Sequence, residues 1–336
     1  MDLEKWCLRI GAAAILCAIL LRVSTGSLLG TVVQALSSTE SMAVMLYLET
    51  GRVVRPPRAQ VPVVDAPEPT EQSEPPEVTV PEPVLPVFSA GDAALVAVNS
   101  VCGYDADLPA LLEKPLTWDL SRQEPTVLIL HTHGSESYTK TEDYQETSAY
   151  RTLDSGYNVV SIGAELVKIL EAAGIGVIHD TTLHDYPSYS SSYSHARDAI
   201  RGYLETYPSV ELVLDIHRDS VEDSSGAQMR FTAQKDGQSV AQLMMVVGTD
   251  ANGLSHPEWP ENMALAVKLH AQLEKSCPGI CRAISFRKQR FNQDLSTGAM
   301  LIEVGSAGNT REEALGAAKI LGQAIIDLSR GTAEAE

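Results

Sequence analysis

Imidazole and carboxylate side chains cluster in three short stretches, each within or at the end of an apolar run. The stretches are His131-Thr-His-Gly-Ser-Glu136, Asp215-Ile-His-Arg-Asp219 and the lone Glu303. Two or three imidazoles with two carboxylates match a catalytic zinc site, which uses three N/O ligands and leaves a fourth position for water. An unpaired carboxylate inside an apolar strand costs free energy, so Glu303 is expected to serve a reaction as the glutamate that takes a proton from that water.

The neighbours of these residues suggest supporting roles. Asp215 lies two residues before His217 on the same strand face, where it would orient an imidazole or a nearby loop. Arg218 and Asp219 would pair with each other or bind a substrate carboxylate, and spacing does not choose between these roles. A serine hydrolase is not indicated, because Ser135 lacks the flanking glycines of a nucleophile elbow. No glycine-rich phosphate-binding motif occurs.

Apolar runs alternating with helical periodicity organise the chain from residue 90 onward. The pattern predicts strands at Thr126–Leu130, Ile175–Ile178, Leu212–Ile216, Gln242–Val247 and Met300–Val304. It predicts helices at His195–Tyr207, Glu258–Lys275 and Glu312–Arg330, and one that starts near Val159 and ends before Gly174. This alternation favours an α/β domain with a largely parallel sheet and helices on both faces. The polar stretches would then meet at the carboxyl ends of the strands.

The first 89 residues differ from the rest in composition. Residues 1–36 contain the uncharged run Ile10–Leu21 behind two basic residues, which predicts a membrane anchor or signal-anchor with a cytoplasmic N-terminus. A cleaved signal peptide is the alternative, and both export the chain. Residues 37–89 are interpreted as a juxtamembrane segment and a Pro/Glu-rich tether, which holds ten of the eighteen prolines. Residues 90–336 form the predicted catalytic domain.

Charge and cysteine content exclude some partners and ligands. Lys and Arg number 25 and Asp and Glu number 44, giving a net charge of −19. This net charge argues against nucleic acid as a partner, because binding to its phosphates depends on cationic contacts. Cys277 and Cys281 are the one close cysteine pair. A disulfide or two free thiols are expected there, because a structural zinc site needs two further soft ligands nearby.

The stretches VLILHTHGSESY, DIHRDS and NQDLSTGAMLIEVG, followed by NTREEA, resemble the stage II sporulation protein P family. The likeness covers roughly Leu108 to Arg330. It implies a fold similar to the zinc N-acetylmuramoyl-L-alanine amidases and zinc-dependent cleavage of that amide bond in peptidoglycan, with a second cut in the peptide cross-links. It also implies a role in engulfment during sporulation, stage II sporulation proteins D and M as partners, and an extracytoplasmic location at the septum.

Carried over by motif, the resemblance implies roles for particular residues. The implied zinc ligands are His131, Glu136 and His217, with Glu303 as general base and His133 contacting substrate or holding the oxyanion. His133 is the alternative ligand, because it takes the ligand position when the motif is aligned with the D-P-G-H-G turn of the related amidases. Two other functions stay open at this point: a non-catalytic wall-binding or activator module, and a zinc carboxypeptidase in which Arg218 binds the free carboxylate of a stem peptide.

Overall fold

The computed structural model describes residues 88–116, 118–120 and 124–330. The anchor predicted for residues 1–36 and nearly all of the segment 37–89 lie outside these residues. Within the described part of the chain, no helix is long and apolar enough to cross a membrane.

The described strands and helices follow the predicted alternation. The strands are β1 (Val98–Ser100), β2 (Val127–Leu130), β3 (Val177–His179), β4 (Leu212–Asp219), β5 (Thr232–Lys235), β6 (Gln238–Ala241), β7 (Leu243–Val247), β8 (Ile284–Phe286) and β9 (Ala299–Ser306). The α-helices are α1 (Leu108–Glu113), α2 (Val159–Ala172), α3 (Ser192–Thr206), α4 (Trp259–Ser276) and α5 (Arg311–Ser329). Strands β1 and β8 are three residues long, too short to leave a periodic signal in the sequence.

Seven of these strands form one sheet in the order β1-β8-β7-β9-β4-β2-β3. Every neighbouring pair is parallel except β7 with β9, which is antiparallel. The predicted α/β class and largely parallel sheet are therefore confirmed. Strands β5 and β6 form a separate antiparallel hairpin that the sequence reasoning did not predict.

The two faces of the sheet are covered unequally. Helices α2, α4 and α5 pack on one face, which we call the helix-covered face, and bury Ile129, Leu214 and Ile302 beneath them. The opposite face is covered by α3, and its apolar cluster consists of Leu128, Leu130, Val213 and Ala299 under Ala196 and Ile200 of that helix. We call this the α3 face. Because α3 covers only part of it, the rest of the α3 face is left for polar side chains.

The carboxyl ends of β2, β4 and β9 lie at the same edge, as the parallel arrangement predicts. Leu130 is the register partner of Asp215, and His217 is the register partner of Glu303. Register partners on neighbouring strands point to the same face, so His217 and Glu303 lie side by side on the α3 face. The sequence-distant stretches that carry them are therefore brought together by the sheet.

The cysteines of the described region are free thiols. Cys277 directly follows α4 and is buried, and Cys281 is partly buried on the loop beyond it. Of the two outcomes expected for this pair, two free thiols are what the structure contains.

A buried carboxylate fixes the start of α5. Thr310 caps the helix, and Glu313 completes the capping box by accepting a hydrogen bond from the Thr310 backbone. Glu313 also accepts hydrogen bonds from Arg230, Ser239 and Asn309. Burial alone would raise the pKa of Glu313, but these hydrogen bonds outweigh burial and lower the pKa to about 2.

We expect Glu313→Gln to lower the free energy of unfolding at pH 7 by about 2 kcal/mol, after allowance for solvent screening of the half-exposed Arg230. The folded-state pKa lies below the ordinary value of 4.5. The stabilisation is therefore fully present at neutral pH and is lost as the pH falls from about 4.5 to about 2. Urea denaturation at several pH values measures this. Glu312→Gln, exposed in the same turn, is the control, and an equal loss at pH 7 and at about pH 3 would contradict the role of the ionised carboxylate.

Candidate active site

A cavity of about 240 Å³ lies on the α3 face and reaches the carboxyl ends of β4 and β9. Its ionisable lining includes His133, Glu136, His217, Arg218, Arg287 and Glu303. A larger cavity of about 510 Å³ lies between the β5–β6 hairpin and α5, and its charged lining residues are Lys235, Asp236 and Lys319. It has no imidazole, so the smaller cavity is the one with groups suited to acid–base or metal chemistry.

His217 lies between two carboxylates at the floor of the cavity. Its Nε2 is 2.8 Å from Asp215 Oδ1, in an orientation that does not make a hydrogen bond, and its Nδ1 is 3.5 Å from Glu136 Oε2. Burial alone would lower the pKa of His217, but the charges of Asp215 and Glu136 outweigh it and raise the pKa. Asp215 also accepts hydrogen bonds from the Thr132 backbone N–H (2.8 Å) and hydroxyl (2.6 Å). It therefore ties the loop after β2 to β4, as its position before His217 suggested.

Arg218 and His217 hold Glu136 in its ionised form. The Arg218 backbone N–H donates to Glu136 Oε2 at 3.2 Å, and Arg151 Nη2 donates to Oε1 at 3.4 Å. Burial acts to raise the pKa of Glu136, but the Arg218 charge and His217 outweigh it and lower the pKa to about 2. Glu136 is thus a fixed carboxylate with a negative charge directed at the cavity.

Arg218 uses its guanidinium inside the fold. Its Nε donates to Ser137 O and its Nη2 donates to Tyr150 O, both at 2.8 Å, and its Nη1 is 3.6 Å from Glu136 Oε1. The side chain is buried. The sequence predicts Arg218 as a partner of Asp219 or of a substrate carboxylate, whereas the structure pairs Asp219 with Arg282 at 2.7 Å. Arg218 is placed as a positioning residue for Glu136 and the loop that follows it.

Glu303 faces the cavity from β9 next to His217. Its Oε2 is buried without a hydrogen-bond partner among the described residues. Burial raises the pKa of Glu303 to about 8, with further contributions from the neighbouring carboxylates of Glu136 and Asp219. A carboxyl group with a pKa near neutrality can both accept and return a proton under physiological conditions, which is what general acid–base catalysis requires.

His133 lies in the cavity wall among aromatic rings. It stacks on Tyr189 with ring centroids 4.6 Å apart, and it meets the edges of Tyr193 and His217 at 5.4 Å and 5.2 Å. Burial lowers the pKa of His133 to about 4, so the ring is neutral. Its Nδ1 is buried and has no hydrogen-bond partner within the described part of the chain.

His131 is placed on the other side of the sheet. Its Nδ1 is 3.0 Å from Ile216 O and its Nε2 is 2.9 Å from His179 Nε2. It is fully buried under α2, where Gly163 leaves the space for the two imidazoles: a Cβ at that position would lie 2.6 Å from His131 Nε2. Strand alternation explains the placement, because Leu130 points to the α3 face and the next residue points away from it. The structure thus does not bring His131 to Glu136 and His217, whereas His133, the alternative ligand, lines the cavity with both of them.

Several residues near the site were not identified from the sequence. Tyr189 and Tyr193 precede and begin α3, in a Tyr/Ser-rich stretch whose composition was the one available signal. Asp185 accepts hydrogen bonds from Ser135 Oγ at 2.5 Å and from Arg151 at 2.7 Å, and so supports the loop that carries Glu136. Arg287 follows β8 and lines the cavity. No local pattern marked it, because β8 is too short to be recognised.

The donor groups around the cavity fit a divalent metal ion in their chemistry. As the side chains lie, no group of three or more His, Cys, Asp or Glu residues in the described region has the geometry to hold a metal. His133 Nδ1 is nonetheless a buried nitrogen without a hydrogen bond, and His217 Nδ1 lies 3.5 Å from the ionised Glu136. Two imidazoles and one carboxylate are the N/O set that suits Zn²⁺. His131, with both ring nitrogens engaged elsewhere, does not fit such a site.

The sequence is similar to a known family and to a curated relative. The family model described as stage II sporulation protein P matches residues 64–326. A curated protein of Bacillus subtilis (strain 168), "Stage II sporulation protein P", is 30% identical over 198 residues, which is 56% of this chain and 47% of that protein. The chain thus spans about half the length of that relative.

Solved structures that the fold resembles include three amidases, all at low TM-scores. N-acetylmuramoyl-L-alanine amidase AmiC2 of Nostoc punctiforme has a TM-score of 0.35 and 14% identity, covering 61% of this chain and 95% of the amidase. The N-acetylmuramoyl-L-alanine amidase of Clostridium difficile 630 has a TM-score of 0.35 and 13% identity, with coverage of 64% and 100%. Ami1 of Mycobacterium smegmatis has a TM-score of 0.36 and 12% identity, with coverage of 62% and 99%.

Proposed function

We propose that this chain, which belongs to the stage II sporulation protein P family, is a hydrolase that cleaves amide bonds of peptidoglycan during sporulation. The observation that carries the proposal is the pairing of Glu303 with His217 on adjacent strands, with Glu136 and His133 in the same cavity. This arrangement joins a carboxyl group able to transfer protons with a set of potential metal ligands. That combination suits the hydrolysis of an unactivated amide.

The proposed cofactor is Zn²⁺, held by His133, Glu136 and His217. When bound, it would supply a Lewis acid that polarises the scissile carbonyl and makes water more acidic. Glu136 suits this role because the charge of Arg218 behind it helps to keep its carboxylate ionised. Asp215 supports His217 from the side opposite Glu136 and fixes the Thr132 backbone next to His133.

Glu303 is proposed to carry the proton in this reaction. It would accept a proton from water as the oxygen attacks the carbonyl carbon, and it would return that proton to the leaving amine nitrogen. Its raised pKa allows both steps near neutral pH. His133 would bind the metal rather than act alone, because its neutral ring has an unpartnered nitrogen in the cavity wall.

The proposed scissile bond is the amide between N-acetylmuramic acid and L-alanine, with peptide cross-links as a second substrate. The carboxypeptidase alternative relied on Arg218 to bind a free carboxylate. Because that guanidinium donates to Ser137 O and Tyr150 O, the geometry does not favour it. A non-catalytic wall-binding module would have no use for an unpartnered buried carboxylate such as Glu303.

Residues 1–36 are proposed to anchor the protein in a membrane and residues 37–89 to tether the catalytic domain on the extracytoplasmic side, in the septal space. The support is the hydrophobic run and the proline-rich composition. Stage II sporulation proteins D and M are the proposed partners, from the family resemblance alone. Membrane fractionation of the full-length protein against a version without residues 1–36 tests the anchor, and recovery of both in the soluble fraction would overturn it.

Digestion of purified peptidoglycan tests the function. The full-length protein, purified in detergent with Zn²⁺ supplied, is expected to release stem peptides free of muramic acid, and a chelator should stop their release. Mass analysis of the products identifies the bond that is cut, and broken cross-links would add the second activity. If the wall is bound but remains uncut with zinc and proteins D and M present, the hydrolase proposal fails and a recruiting module takes its place.

A further inference from the structure

Arg287 lines the cavity but has no part in the proposed reaction. It directly follows β8, its side chain is exposed, and it lines the cavity together with Glu303. Its backbone is fixed, because its N–H donates to Val247 O and its carbonyl accepts from the Thr249 hydroxyl, both at 2.8 Å. Arg287 therefore lines the cavity from a rigid point on the sheet.

The other arginines around the cavity are already paired. Arg151 bonds Asp185, Arg282 bonds Asp219, and Arg197 and Arg290 share Asp294. Arg218 is bonded inside the fold. Among the described residues, the Arg287 guanidinium has no hydrogen bond or ion pair. An unpaired guanidinium at a cavity of a strongly acidic chain is available for an anion from outside the protein.

We propose that Arg287 binds a carboxylate of the substrate's stem peptide and makes the enzyme selective for acidic stem peptides. This inference rests on the proposed function. A carboxylate is the expected ligand because its two oxygens match the planar fork of the guanidinium. Arg287 thus has the carboxylate-binding role that the sequence suggested for Arg218.

The sheet register sets the distance between this carboxylate and the cleaved bond. Ser285 of β8, Val246 of β7 and Leu301 of β9 lie side by side in the sheet. Arg287 lies two residues beyond Ser285. Glu303 lies two residues beyond Leu301 in the opposite direction, because β9 is antiparallel to β7. At about 3.3 Å per residue along the strands and about 4.8 Å between strands, the Cα atoms of Arg287 and Glu303 are on the order of 16 Å apart. A guanidinium that reaches about 6 Å from its Cα toward Glu303 leaves a gap of about 10 Å, or about three residues of extended peptide. The recognised carboxylate therefore belongs to the second or third residue after the scissile amide.

The cavity continues beyond this point into a groove suited to the rest of the substrate. A second cavity of about 410 Å³ shares Tyr193 and Phe291 with the first and extends past Leu254 and Gln289. Phe291 and Asn292 both have positive φ values, 50° and 58°, in a loop that Asn292 holds to the Tyr193 carbonyl at 2.8 Å. Aromatic and amide side chains of this kind contact sugars and peptide backbones. Tyr193 and Phe291 thus join this second cavity to the one that Arg287 lines.

Binding measured separately from cleavage tests the inference. The probe is a synthetic N-acetylmuramoyl-L-alanyl tripeptide whose second and third residues carry carboxylates, compared with its fully amidated form. Calorimetry uses the full-length Glu303→Gln protein at about 0.1 M salt, so that the probe is bound and not cut. We expect the acidic form to bind about tenfold more tightly than the amidated form. Adding Arg287→Gln should abolish that preference and leave the affinity for the amidated form unchanged.

Lys288→Gln is the matched control. It removes the same charge from the neighbouring exposed residue, which does not line the cavity, and it should preserve the preference. The inference is overturned if the Glu303→Gln protein does not prefer the acidic probe. It is also overturned if this preference survives Arg287→Gln, or if Lys288→Gln removes it equally. Failure of the proposed function is distinguished by the wild-type digestion, because an active enzyme without the preference retains the function and refutes only the role of Arg287.

Discussion

Glu303→Gln is expected to reduce peptidoglycan cleavage by about 10²- to 10⁴-fold, the range measured when a general acid–base group is removed. The amide of glutamine keeps the size and hydrogen-bonding capacity of the carboxyl group but cannot accept or return a proton. Glu303 Oε2 has no partner among the described residues, so the substitution breaks no hydrogen bond there. The loss is therefore expected in kcat rather than in folding.

The zinc content of the variant shows whether Glu303 acts as a general base or as a zinc ligand. The Glu303→Gln protein should bind Zn²⁺ with the stoichiometry of the wild type, because the proposed ligands are His133, Glu136 and His217. Metal analysis of the dialysed protein and a rate assay on purified peptidoglycan make the two measurements. Glu312→Gln, an exposed change at the start of α5, is the control that should affect neither. Full activity in the Glu303→Gln protein would exclude Glu303 as the base.

His133→Ala is expected to weaken Zn²⁺ binding by more than about 100-fold, whereas His131→Asn should leave it within a few-fold of the wild type. The loss of a ligand exceeds the roughly 10- to 100-fold cost that is typical when a residue supporting a ligand is removed. His133 faces the cavity with an unpartnered nitrogen, while His131 lies on the helix-covered face against His179 and Ile216 O. The two substitutions, only two residues apart in sequence, should therefore differ sharply in their effect on zinc affinity.

The two substitutions are chosen so that both variants stay folded, and a loss of zinc binding is then not caused by unfolding. In His131→Asn the new side-chain amide can still donate to Ile216 O, which a smaller residue would leave without a partner in the core. His133→Ala leaves space that opens to the cavity, so water can fill it. Competition with a chromogenic chelator measures the zinc affinity of each folded variant, with thermal melting as the check on folding. If His131→Asn loses zinc and His133→Ala keeps it, the assignment made from the geometry is wrong.

The sequence determined the fold class because strands and helices are recognised from local patterns of apolar residues. The run Val127–Leu130 is apolar throughout, as a strand buried on both faces must be, and the apolar spacing after Val159 matches a helix. The polar groups at the ends of β2, β4 and β9 were placed at one edge correctly, because parallel strands connected by helices must end together. Strands β1 and β8 and the β5–β6 hairpin were missed because they are short and owe their stability to packing against neighbours.

The tertiary structure decided which side chains meet, because that depends on register and on competition for partners. Glu136, His217 and Glu303 meet in one cavity because Glu303 pairs with His217 across β4 and β9, while His131 is directed to the other face by a shift of one residue. Neither register nor face is encoded in a motif. The same holds for the arginines: Arg218, beside His217 in sequence, is bonded inside the fold, and Arg287, far from it along the chain, is left free to face the cavity.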